Sequence, residues 1–272
     1  MPELPDVETI KNDLLPEIVG CRFTGVTLFW GRAVKRPSPD EFCRRLVGQA
    51  ITGLKRRGKF LIFHLSSGEL LILHLRMSGS LLLRPASSGP DPYTRNVFHL
   101  DGALELRFCD PRKLGMMWLV EDEKAVVGKL GPEPLDPSFT AEFFANRLSQ
   151  HAVPIKALLC DQGFLAGVGN MYADEALFAA RIHPLKKGRE LSREEAERLH
   201  GAIRQVLEQG IACKGATVRD YRNPFGQPGT AQLYFQVAHR GGERCYACGT
   251  PIERIPIRNR GTYFCPRCQE TS

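Results

Sequence analysis

The order of hydrophobic and polar positions along this 272-residue chain changes rhythm twice. Over residues 5–15 apolar side chains return at helical intervals, with Ile10, Leu14 and Leu15 apolar, which predicts an opening amphipathic helix. From Phe23 to Val120 the rhythm shortens to that of strands. Phe60–Leu65 and Leu70–Leu75 are compact apolar runs separated by Ser66-Ser67-Gly68, a hairpin pattern. Val97–Leu100 and Ala103–Phe108 flank Asp101-Gly102, a dipeptide that favours tight turns between paired strands. Strands this apolar need cover on both faces, so the region is expected to be a β-sandwich rather than a one-sided sheet.

The proline-stiffened stretch Gly131-Pro-Glu-Pro-Leu-Asp-Pro137 reads as a linker, and helical spacing follows it. Helices are expected from Ser138 to Leu148, over Ile155–Leu159 and after Ser192. The last begins with a capping-box sequence, Ser192-Arg-Glu-Glu195, ahead of Ala196, Leu199, Ile203, Val206 and Leu207, and Gly210 reads as its stop. Asn223–Thr230, with two prolines and two glycines, is expected to be a mobile loop. These shifts divide the chain into a β-sandwich domain at 1–130, a linker at 131–137, a helical domain at 138–237 and a cysteine-rich module at 238–272.

Composition narrows the choice of class. Hydrophobic residues make up 43%, enough for packed cores. A net charge of +7 fits a polyanionic partner but fits a merely basic soluble protein equally well. No apolar run is long enough to span a membrane and no export leader is evident, so a cytosolic protein is expected. Of nine cysteines, Cys21, Cys43, Cys109, Cys160 and Cys213 are scattered, as small buried hydrophobes in a reducing compartment would be.

The other four carry chemistry. Cys245-x2-Cys248 and Cys265-x2-Cys268 offer two thiolate pairs for a closed, structural zinc site, with disulfides as the alternative. Arg254, Arg258 and Arg260 lie along this hairpin, as a DNA-contacting finger or as a solvated basic face. The turn Gly163–Asn170 places Asn170 as a helix N-cap, where free amides suit a phosphate or simply form a corner. Removal of Met1 would leave Pro2 as a secondary amine beside Glu3. Such an amine can attack a sugar C1′, and the iminium formed on ring opening lets the 3′ phosphate leave by β-elimination. Glu3 is then the candidate acid and base, although an ordinary loose terminus is the competing reading.

Six motifs in order select between these readings. Pro2-Glu3-Leu4-Pro5-Asp6-Val7-Glu8, Lys55-Arg-Arg-Gly-Lys59, His74-Leu-Arg-Met-Ser-Gly79, Asp110-Pro-Arg-Lys113, Gly167-Val-Gly-Asn-Met-Tyr172 and the finger with Asn259-Arg260-Gly-Thr-Tyr-Phe-Cys265 closely resemble the formamidopyrimidine-DNA glycosylase family, within the group that includes endonuclease VIII. The resemblance covers essentially the whole chain. It implies a multidomain α+β fold: a β-sandwich with a leading helix, a helix-two-turn-helix domain and a four-cysteine zinc-finger hairpin. It implies a glycosylase and abasic-site lyase, acting as a monomer on double-stranded DNA with oxidised bases or abasic sites, with one structural zinc and no membrane partner.

By the same resemblance Pro2 is the Schiff-base nucleophile and Glu3 the general acid/base. Lys59, His74, Asn170 and Arg260 bind phosphates, with Lys156 a further backbone contact. Met77, Arg112 and Leu114 fill the gap left by a flipped base, Glu175 supports the site, and 223–230 resembles a lesion-covering lid. Three positions depart from the family: Asp6 stands for Glu, Leu114 for a Phe wedge and Asn259 for Gln. Asp6 is therefore expected to lose, or bridge by water, a contact near the flipped nucleotide, and Leu114 to relax opposite-base preference. The loop and Lys214-Gly-Ala-Thr217 favour oxidised purines. Oxidised pyrimidines, or a non-catalytic zinc-finger protein that binds damaged DNA, are the alternatives.

Overall fold

The computed structural model describes residues 1–270, so the last two positions of the 238–272 segment lie outside the described residues. The chain forms two compact units. Residues Met1–Lys129 join Ile211–Gln232 in the first, and Leu130–Gly210 joins the residues from Leu233 onward in the second.

The first unit opens with helix α1 (Leu4–Ile18). Asp6 accepts the Glu3 N–H at 2.7 Å and so caps the helix from its third position, while Pro5 sits where a missing N–H costs nothing. Val7, Ile10, Leu14 and Ile18 form a fully buried stripe. Leu15, one position around the helix from Leu14, turns outward and is 38% exposed, against the sequence expectation.

Nine strands follow: β1 (Phe23–Leu28), β2 (Val34–Arg36), β3 (Ile51–Arg57), β4 (Phe60–Leu65), β5 (Leu70–His74), β6 (Ser80–Pro85), β7 (Thr94–Leu100), β8 (Leu104–Cys109) and β9 (Met116–Val120). Helix α2 (Pro39–Leu46) lies between β2 and β3, and α3 (Lys124–Val127) follows β9. The strands make a four-stranded sheet in the order β1-β7-β8-β6 and a five-stranded sheet in the order β2-β9-β5-β4-β3. Phe23, Phe98 and Phe108 from the first sheet share one core with Leu61, Phe63, Leu71 and Leu73 from the second, and with the α1 stripe. All five residues of β5 are buried, as its unbroken apolar run requires.

One boundary and one loop differ from the sequence reading. Residues 211–232 belong with the sandwich, not with a helical domain at 138–237. Asp6 Oδ1 accepts the Ala216 N–H at 2.8 Å, the Tyr221 hydroxyl donates to the Asp6 carbonyl, and Lys214 pairs with Asp13 at 3.0 Å. The 223–230 segment is irregular but pinned. Asn223 Oδ1 accepts the N–H groups of Phe225 and Gln227, its Nδ2 donates to Asp13, and the Leu83 N–H donates to the Pro224 carbonyl.

The second unit contains α4 (Ala141–Ser149), α5 (Ile155–Leu159), α6 (Asn170–Ala179), α7 (Arg193–Ala212) and the hairpin β10 (Glu253–Ile257) and β11 (Arg260–Phe264). Thr140, not Ser138, caps α4 by accepting the Phe143 N–H. The capping box at Ser192 and Glu195 forms in both directions. Gly210 does not stop α7. A Cβ there would lie 2.6 Å from Cε1 of Tyr172, whose ring is 1% exposed, so the glycine permits a close approach inside the helix. No helix among the described residues is long and apolar enough to cross a membrane.

Gly210→Ala sets helix propensity, worth about 1 kcal/mol in alanine's favour, against overpacking of the buried ring. Overpacking should win. Denaturant unfolding should show a net loss of up to about 2 kcal/mol, and a stabilised variant would contradict the close approach.

Candidate active site

Pro2 and Glu3 are buried at the start of α1, not loose. Asp6 is the reason. Its Oδ2 takes the Glu3 N–H and its Oδ1 takes the Ala216 N–H, so one carboxylate ties the terminal peptide to the segment leading into 217–230. Gly215 makes room for it, since a Cβ there would lie 2.5 Å from Asp6 Oδ1. Burial pushes the Asp6 carboxyl up to about 7, opposed by these two N–H groups. Both Asp6 oxygens thus bond directly to backbone.

Lys59 leads into β4 beside Gly58, whose φ of 56° turns the chain. His74 ends β5 opposite Phe60, its ring edge-on to that phenyl at 4.5 Å. Burial first, then the Arg76 and Lys59 charges, holds His74 down from 6.5 to about 3. The ring is therefore neutral near pH 7. Its Nδ1 accepts the Arg76 N–H at 2.9 Å, which leaves the proton on Nε2 as a donor.

Met77, Arg112 and Leu114 stand on two neighbouring loops with exposed side chains. Arg112 Nη1 reaches Met77 Sδ at 3.6 Å. Behind them Asp110, fully buried, accepts bonds from both loops.

In the second unit Asn170 is the first residue of α6 rather than its cap, which is Gly169. Asn170 Nδ2 donates to the Gly261 carbonyl at 2.7 Å, tying the helix start to the β11 arm that begins with exposed Arg260. Lys156 is 1% exposed. It pairs with Asp174 at 2.5 Å, donates to the Asn170 carbonyl, and closes a recess also lined by Gln162, Arg258 and Arg260. Glu175 accepts the N–H groups of Gln236, Val237 and Ala238, each at 2.8 Å, so its carboxylate fixes a turn. Burial raises its pKa, against those three donors. Arg258 and Asn259 form the hairpin tip with φ of 44° and 60°. Asparagine adopts that backbone readily, which accounts for its presence there.

The Sγ atoms of Cys245, Cys248, Cys265 and Cys268 lie within 4.8 Å of one another. Cys245–Cys268 and Cys248–Cys265 are separated by 3.9 and 3.4 Å. Tetrahedral coordination at Zn–S distances of about 2.3 Å needs sulfurs about 3.8 Å apart. The donor set fits a closed metal site. Buried Gln269 accepts the Cys265 N–H and donates to the Ile182 carbonyl, fastening the cluster to the chain beyond α6.

Sequence reasoning assigned no role to Asp110, Asp174, Ala216 or Gln269. Only Asp110 carried a local signal, an Asp-Pro at the end of a strand.

Residues 1–117 match the formamidopyrimidine-DNA glycosylase N-terminal domain, residues 130–222 its H2TH domain, and residues 242–271 the zinc finger found in FPG and IleRS. A formamidopyrimidine-DNA glycosylase of Roseiflexus sp. (strain RS-1) is 45% identical over 272 residues, covering 99% of this chain and all of that protein. The crystal structure of MutM (Fpg) from Thermus thermophilus matches with a TM-score of 0.90 at 41% identity, covering 100% of both chains. Lactococcus lactis Fpg, in a complex with DNA containing an abasic site, gives 0.92 at 33% identity, covering 99% of this chain and 100% of that one.

A helix-led β-sandwich, an H2TH module and a zinc-finger module in one chain define a DNA glycosylase of the type that also cuts the strand. The chain belongs to the formamidopyrimidine-DNA glycosylase family, a family of bifunctional glycosylase/AP lyases.

The His74 ring should show no titration by NMR between about pH 5 and 8. Its pKa is lower folded than unfolded, so its contribution to stability is present above 6.5 and is lost as pH falls toward 3. A ring titrating near its ordinary value would contradict the neutral assignment.

Proposed function

We propose that this protein excises oxidised purines, such as 8-oxoguanine and formamidopyrimidines, from double-stranded DNA and nicks the strand through an N-terminal proline Schiff base. The observation that carries the proposal is the buried, capped Pro2-Glu3 turn. With Met1 removed, Pro2 presents a secondary amine, and α-amino groups have a reference pKa of about 7.7–8.0, so a usable fraction is unprotonated. Its lone pair attacks C1′ and the glycosidic bond breaks, its electron pair leaving with the base, which takes up a proton. Opening of the C1′–O4′ bond, with a proton delivered to O4′ by Glu3, gives the iminium. Loss of the C2′ proton expels the 3′ phosphate, and a second elimination expels the 5′ phosphate.

The remaining residues fit binding roles. Lys59 and Arg260 supply charge to the flanking phosphates, which leave as anions. Neutral His74 and Asn170 supply hydrogen bonds, with Lys156 closing the recess beside Arg260. Met77, Arg112 and Leu114 occupy the space vacated by an extruded base, offsetting an unstacking cost of a few kcal/mol. Asp6 and Glu175 hold backbone in place around these groups. One structural zinc fills the four-cysteine site and keeps the Arg260 arm in register. The protein acts as a monomer on DNA, in the cytoplasm with the nucleoid.

Borohydride added during turnover on an 8-oxoguanine duplex should trap a protein–DNA adduct linked through Pro2. A link through a lysine, or none from active enzyme, overturns the mechanism. Faster excision of thymine glycol in the same assay would transfer the protein to the oxidised-pyrimidine reading. Metal analysis should find one zinc per chain. Its removal by chelation should weaken duplex binding, and undiminished binding by the metal-free protein would detach the finger from DNA contact.

A further inference from the structure

Exposed side chains that must enter a DNA stack need a rigid base, because each ångström of play spreads them over unproductive positions. Met77, Arg112 and Leu114 stand on two separate loops, 75–79 and 110–115. The residues that anchor those loops are buried: Ser78 is 6% exposed, and Asp110 and Gly115 are buried behind the tips.

Asp110 bonds to both loops at once. Its Oδ1 accepts the Ser78 hydroxyl at 2.6 Å and the Arg112 N–H at 3.1 Å. Its Oδ2 accepts the N–H groups of Leu114 at 2.6 Å and Gly115 at 2.8 Å. Its own backbone is held as well, since its N–H donates to the Tyr93 carbonyl and its carbonyl accepts Arg95 Nε. The loops have no slack around it. Arg76 and Lys113, one on each loop, have φ of 57° and 55°, and a Cβ on Gly115 would lie 2.6 Å from Cε1 of the buried Phe108 ring.

We propose that Asp110, linked through Ser78, is a positioning residue that holds the three base-gap side chains as one unit. The inference rests on the gap-filling reading above. A carboxylate suits the task because both its oxygens accept, whereas an amide in its place would turn an NH2 group toward existing donors. The bond from Ser78 is Asp110's link to the other loop, beneath the exposed Arg112–Met77 contact, for its other three side-chain bonds all stay within 110–115.

Asp110→Asn risks unfolding the sandwich, so the test removes only the bond between Asp110 and the 75–79 loop. S78A, M77A and the double variant are compared in single-turnover excision from an 8-oxoguanine duplex and in cutting of a preformed abasic site in single-stranded DNA, with thermal melts as a control for folding. S78A should slow duplex excision by about tenfold, leave single-strand cutting unchanged, and add nothing in the M77A background. An S78A loss that is additive with the M77A loss, or that falls equally on both reactions, overturns the inference alone. Normal duplex excision by M77A overturns the gap-filling reading and this inference with it.

Discussion

Irregular backbone can be buried only where each N–H finds an acceptor, and in this protein buried carboxylates supply many of them. Asp6 accepts from Glu3 and Ala216, Asp110 from Arg112, Leu114 and Gly115, and Glu175 from Gln236, Val237 and Ala238. Each serves a segment that is neither helix nor strand. A charge in the interior is costly unless hydrogen bonds replace its lost water, and the N–H donors converging on these carboxylates offset part of that cost, with burial still raising Asp6 and Glu175. These segments thus gain order without joining a regular element, and on the 110–115 loop the Arg112 and Leu114 side chains remain exposed.

The two units use this device on different scaffolds. In the sandwich, packed strands fix loop ends, and the carboxylates fix the loops between them. In the helical unit, α6 carries three polar groups that tie other segments to it. Asn170 reaches the Gly261 carbonyl, Asp174 holds Lys156, and Glu175 gathers the 236–238 turn. The four cysteine sulfurs converge beside the β10–β11 hairpin, whose tip has two left-handed residues in succession.

What could be read from the sequence was short-range. The Ser192 capping box, the apolar runs of β4 and β5 and the CxxC pairs each announce themselves within a few residues, and each formed as expected. Errors came where a distant partner decided the outcome. Gly210 looked like a helix stop because Tyr172, which fills the space beside it, lies far away in the chain. That Asp6 would bond to Ala216, 210 residues on, was likewise not visible. Asn223 carried no sign that its side chain would replace missing secondary structure in its own loop. The roles proposed for Pro2 and Glu3 rest on the family resemblance, since nothing local separates a reactive terminus from an idle one.

The neutrality of His74 also bears on how tightly such an enzyme holds undamaged duplex. Each cation placed on a phosphate releases condensed counterions, and affinity then falls steeply as salt rises, by a slope of about 0.9 per charge. A neutral Nε2–H donor adds a directed bond and releases none. A phosphate bound by His74 would be recognised by its position more than by its charge, so a scanning protein could keep geometric discrimination without lengthening its stay at every other site along the helix.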